Sequence, residues 1–160
     1  MHRKKHLWCA VMIFLIIAFD HVTKILATEY LKGKEPVSFI KGVVRFNYAQ
    51  NTGMAFSLFS GARWVFVALT LVACVAALWY IFSNRCKPLW LYWSIAVVAS
   101  GGIGNLIDRA FYGYVVDFIE PVFIDFAIFN IADCAVTLGA VSLIAYLVFD
   151  AFKKEDKRLE

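Results

Sequence analysis

Two stretches of this chain, Trp64 to Asn84 and Pro88 to Ile107, carry no charge at all, and a third, Phe126 to Phe149, carries only Asp133. Each is as long as the roughly 20 residues an α-helix needs to cross a bilayer. A further apolar run, Leu7 to Phe19, reaches that length only by continuing through Asp20 and Lys24, which gives a first span over residues 7–27. Its basic start, Arg3-Lys4-Lys5, resembles a secretory signal, but charged residues stand where a small-residue cleavage site belongs, so the segment reads as an anchored span. Hydrophobic residues make up 62% of the 160 residues, well above the roughly 45–50% usual for soluble domains. The expectation is one domain over residues 1–160: a four-helix membrane bundle with spans 7–27, 64–84, 88–107 and 126–149.

Arg3, Lys4, Lys5, Arg85, Lys87, Lys153, Lys154, Lys157 and Arg158 fall in the termini and the short turn between spans two and three. Positive-inside weighting puts those segments, and both termini, in the cytoplasm. The net charge of +4 is then a topology signal and gives no reason to invoke nucleic acid. Cys9, Cys74, Cys86 and Cys134 form no CxxC pair and read as small buried residues.

The outer connections cover residues 28–62 and 108–125. In the first, Val37 to Ile40 and Val43 to Tyr48, separated by Gly42, predict a small β-sheet element. Thr52 to Ser60 reads as a short amphipathic turn at the membrane surface. The second is acidic, with Asp108, Asp117, Glu120 and Asp125.

Ionisable groups inside a span are costly and mark functional candidates. At 1.5 Å per residue, Asp20 lies roughly 20 Å along span one and Asp133 about 10 Å down span four from the outer side. Asn105 and Asp108 close the outer end of span three, so the polar residues gather at one depth. Helical spacing puts Asn130 with Asp133, Asp20 with Lys24, and Asn105 with Arg109 on common faces. Asp117 follows span three closely enough for the chain to return to the mouth of the bundle, where two carboxylates can meet. Two adjacent acids cannot both ionise; one stays protonated to polarise an amide carbonyl while the other takes a proton from water. That chemistry needs no metal or other cofactor, and the chain has neither HExxH nor a Cys/His cluster.

Asp20-His21-Val22-Thr23-Lys24, Asn51-Thr52-Gly53-Met54-Ala55-Phe56-Ser57, Gly101 to Arg109, Val115-Val116-Asp117-Phe118 and Phe129-Asn130-Ile131-Ala132-Asp133 resemble, in order, the blocks of lipoprotein signal peptidase, signal peptidase II. The resemblance covers nearly the whole chain. It implies an aspartic endopeptidase of the bacterial inner membrane that cuts lipid-modified prolipoproteins before the diacylglyceryl-cysteine and is inhibited by globomycin. By position, the catalytic pair falls on Asp117 and Asp133. The supporting or substrate-binding residues fall on Asp20, Lys24, Asn51, Gly53, Asn105, Asp108, Arg109 and Asn130. Met54 and Cys134 stand where the family commonly has Ala and Ser.

Plainer readings stand beside these. Asp108 and Arg109 suit a structural role at a helix end, and Asp20 with Lys24 an orienting ion pair whose lysine stem can snorkel outward. Gly101, Gly102 and Gly104 lie in an apolar span and suit close helix contact better than phosphate binding. Asn51 can be a turn residue. A Cys134/His21 nucleophile pair leaves both aspartates unexplained. Trp8, Trp64, Trp79, Trp90 and Trp93 read as interfacial anchors. Two rivals remain: a proton channel or transporter, although the inner halves of the spans have no charge, and a non-catalytic lipoprotein-binding factor. The expected partners are a lipidated prolipoprotein and membrane lipid around a monomer.

Overall fold

The computed structural model describes residues 2–53 and 63–159. Most of the surface turn expected over Thr52 to Ser60 lies outside them. Four long helices cross the fold: α1 (His2–Leu31), α2 (Arg63–Phe82), α3 (Leu89–Phe111) and α4 (Ile131–Leu159). All four are long and apolar enough to span a membrane. Large apolar side chains cover the outside, and on α4 the exposed Leu138, Val141, Ile144, Val148 and Phe152 recur at three- and four-residue spacing. A helix face of that kind is stable only against lipid.

α3 is the centre of the bundle and packs against each of the other helices. Its glycines make this close approach available. A Cβ on Gly101 would strike the Ala132 carbonyl and stand 2.9 Å from Val136 Cγ2 on α4; one on Gly102 would meet Cys74 Sγ of α2 at 3.1 Å; one on Gly104 would meet Asp20 Oδ2 of α1 at 2.8 Å. Each glycine thus opens toward a different neighbour. Gly101→Ala is expected to destabilise the bundle by about 1–3 kcal/mol, because the obstacle is α4 backbone that cannot rotate away. Thermal melting in detergent checks this, and a melting temperature equal to wild type would count against the close contact.

At one end of the bundle lies an antiparallel sheet of β1 (Val37–Ile40), β2 (Val44–Asn51) and β3 (Val115–Pro121), in that order. β1 and β2 join through a turn in which Val43 N–H donates to Ile40 O at 2.9 Å, with Gly42 at φ +76° in the position that requires the left-handed region. β3 lies in the connection expected to be an acidic loop. Its first four residues are all buried, so its sequence lacks the alternation that marks a half-exposed strand. Within the sheet Arg45 forks onto Glu120 at 2.6 and 2.7 Å, and this pairing holds the Glu120 carboxyl below its ordinary range.

The fourth helix begins later than its hydropathy suggests. Residues 126–130 are not helical, and Phe129 exchanges backbone hydrogen bonds with Ile119 of β3 at 2.8 and 3.0 Å. Asp133 therefore sits in the first turn of α4 and not about 10 Å along it. Trp8, Trp64, Trp79 and Trp90 are exposed, whereas Trp93 packs edge-on against the buried Tyr92.

Candidate active site

Asn130 organises the site. Its side-chain Oδ1 accepts from Asp133 N–H at 2.9 Å, and Asp133 Oδ2 accepts from Asn130 N–H at 3.1 Å. This reciprocal pair is a capping box, satisfying backbone donors that the first turn of a helix otherwise leaves unpaired. With Oδ1 so occupied, the Asn130 amide must present its N–H₂ the other way. There it donates to Asp117 Oδ1 at 2.6 Å. One buried asparagine thus holds both carboxylates.

Each acid has a second amide donor. Asn51 ends β2 opposite Val115, and Asp117 follows two residues later on the same face of the sheet. Asn51 Oδ1 accepts from Gly53 N–H at 3.0 Å, which turns its Nδ2 toward Asp117 Oδ2 at 3.1 Å. Asn51 is therefore a turn residue as well as a carboxylate partner. Asn105 of α3 donates to Asp133 Oδ1 at 2.8 Å. Burial pushes the Asp117 carboxyl up to about 6, with the neighbouring Asp133 charge acting the same way, against hydrogen bonds from Asn51 and Asn130 that act downward.

Behind the acids lies a buried ionic cluster. Lys24 Nζ stands 2.7 Å from Asp20 Oδ2, 2.9 Å from Asp108 Oδ2 and 3.0 Å from Asn105 Oδ1. Its ammonium is the partner for two carboxylate oxygens with no other hydrogen bond. Lys24 is buried, so its stem does not snorkel outward. Asp20 Oδ1 accepts from Ala132 N–H at 2.8 Å, which ties α1 to the first turn of α4. By fixing the Asn105 carbonyl, Lys24 also fixes the direction in which that amide donates to Asp133.

Arg109 donates to Gly53 O at 2.9 Å and lines a cavity of about 540 Å³ together with Asn51, Asp117, Phe129, Asp133 and Thr137. Cys134 also lines it and is only partly buried, unlike the other three cysteines. His21 lines a different cavity, so the two do not form a nucleophile pair there. Of the site residues expected from the sequence, Asn51, Arg109, Asp117 and Asp133 line this cavity, and Asp20, Lys24, Gly53, Asn105, Asp108 and Asn130 join it through the hydrogen bonds and ion pairs described above. One supporting residue was missed. Arg63, at the start of α2, donates to the carbonyls of Arg109 and Ala110 at 2.7 Å each and so caps the end of α3. An arginine one residue before an apolar span carries too little signal to reveal this.

The model of the signal peptidase (SPase) II family matches residues 12–149. The chain belongs to the signal peptidase II family. This peptidase is 42% identical over 137 residues to a protein named lipoprotein signal peptidase from Streptococcus thermophilus (strain CNRZ 1066), covering 86% of this chain and 90% of the relative. It is 37% identical over 153 residues to one from Streptococcus pyogenes serotype M6, covering 96% and 97% of the two chains. Two solved bacterial membrane enzymes share its fold, each 30% identical. Their TM-scores are 0.85, covering 91% of this chain and 90% of the other, and 0.78, covering 87% and 91%.

Proposed function

We propose that this peptidase removes signal peptides from diacylglyceryl-modified prolipoproteins, cutting before the lipidated cysteine, with Asp117 and Asp133 as its general acid/base pair. The observation that carries the reading is that one buried asparagine bridges two carboxylates, Asp117 buried and Asp133 half-buried, that line a single cavity. The ionised acid takes a proton from water as the oxygen attacks the scissile carbonyl, and the protonated acid gives its proton to the carbonyl oxygen. Collapse of the tetrahedral intermediate returns a proton to the departing amine, which becomes the new N-terminus of the lipidated cysteine. Asn51, Asn105 and Asn130 hold the two acids, the Asp20–Lys24–Asp108 cluster holds Asn105, and Arg109 holds the backbone at Gly53.

The acyl chains remain in lipid and position the substrate, each buried methylene contributing about 0.8 kcal/mol. Membership of this family favours a bacterial inner membrane, and the basic termini and α2–α3 turn favour both ends cytoplasmic with the acids near the outer face. Globomycin would occupy the same cavity, and one chain supplies every group the reaction uses. Purified enzyme in detergent is expected to release a product beginning with diacylglyceryl-cysteine, read by mass spectrometry, while the unlipidated precursor stays intact. Equal cleavage of both precursors would defeat the lipid-directed reading.

The pH profile offers a separate check. As pH rises through about 6, the value to which burial pushes Asp117, the pair loses its shared proton and with it the acid that polarises the carbonyl. The turnover rate is therefore expected to fall along an alkaline limb near that value, belonging to the coupled pair. A rate constant across the range from about pH 5 to 9 would contradict a shared proton.

A further inference from the structure

A second cavity of about 640 Å³ lies between α1, α3 and β3, lined by Lys24 and Asp108 but by neither of the two acids Asp117 and Asp133. His21, Lys24 and Ile25 of α1 and Ile107 of α3 line it further along the helices, and Glu29, Tyr112 and Tyr114 line it where α1 and α3 end beside the sheet. From His21 to Glu29 the helix rises about 12 Å, so the groove runs along the membrane normal from acyl depth toward the headgroups. Ile25 and Tyr112 are each more than 60% exposed, which leaves the groove open to lipid along its length.

Its charges select among headgroups. Lys24 is already shared by Asp20, Asp108 and the Asn105 carbonyl, so it has no capacity left for a phosphate. Glu29 is exposed and has no ion-pair partner among the described residues. Lys32, one turn further on, lies 5.9 Å from the centre of the Tyr48 ring instead. The rings of Tyr112 and Tyr114, with centroids 6.3 Å apart and an interplanar angle of 37°, flank the mouth. An unpaired carboxylate beside two electron-rich rings suits an ammonium group and disfavours an anion.

We propose that this groove binds a phospholipid carrying a primary ammonium headgroup, with the ammonium against Glu29 and the tyrosines and an acyl chain along Ile25 and Ile107. The lipid would lie directly against Lys24 and Asp108, whose other side holds Asn105 and through it Asp133. Membrane composition would then bear on the same cluster that positions the active site.

The test uses full-length enzyme purified in detergent, offered phosphatidylethanolamine and phosphatidylglycerol in equal amounts and analysed by native mass spectrometry. One exposed ion pair and one cation–π contact predict retention of the ethanolamine lipid over the glycerol lipid by about fivefold. Glu29→Gln and Tyr112→Leu, both at exposed positions outside the catalytic cavity, are each expected to reduce that preference toward parity. Equal or stronger retention of phosphatidylglycerol by wild type would overturn the proposal. So would a preference that survives undiminished in both variants.

Discussion

Asp117→Asn is expected to yield a folded protein that cleaves lipidated precursor at least about a thousandfold more slowly than wild type, because an amide can neither give nor take the proton on which the reaction turns. Its folding can be argued from the site. Ionising a buried carboxyl whose titration has moved up to about 6 costs the fold roughly 3 kcal/mol at neutral pH. The sign follows from the direction of the change. The folded state holds this proton more tightly than the unfolded chain, so the associated stability is complete below about pH 4 and is lost as pH rises through about 6. Asparagine removes that cost but introduces another, since Asn51 and Asn130 both present N–H groups and an amide has one oxygen to receive them. An unmatched buried donor costs about 1–3 kcal/mol, so the two effects nearly offset. Asp133→Asn is expected to lose activity to a similar extent. Near-normal turnover by either folded variant would remove the pair from the mechanism.

Lys24→Met gives the largest expected effect on stability. The substitution fills similar volume but strands the Asp20 and Asp108 oxygens that have no other partner. Removing one partner from a buried ionic cluster costs about 3–5 kcal/mol, far more than an exposed pair. A marked loss of resistance to SDS or heat is the expected observation. Adding Asp108→Asn to Lys24→Met is expected to recover part of the loss, because one stranded charge is gone. A single variant as stable as wild type would mean that the cluster adds nothing to the fold.

The spans were legible because lipid imposes a length and a composition that few other structures share. The same count grouped Asp20, Lys24, Asn105 and Asp108 at one depth before any contact was known, whereas Asp133 joins them from the first turn of α4 and not from about 10 Å along a span. Two features escaped. Phe126 to Phe129 are apolar enough to pass for helix, but the Phe129 backbone pairs with β3, and nothing local in the chain records a hydrogen bond to a distant strand. β3 itself is buried on both faces, so its polarity follows the site and not the two-residue period of a half-exposed strand. The ion pair between residues 20 and 24 could be read from helical spacing, whereas the third member, Asp108, comes from another helix and needed the fold.

The capping box at Asn130 has a consequence for assembly in the membrane. The hydrogen bonds that start α4 are the ones that bring Asp133 to Asp117, and Asp117 is held in place by β3, which pairs with β2. Asp20, from the first helix to be made, closes the same turn through Ala132. A chain that has not yet placed its last helix therefore lacks the contacts that bring the proposed hydrolytic pair together.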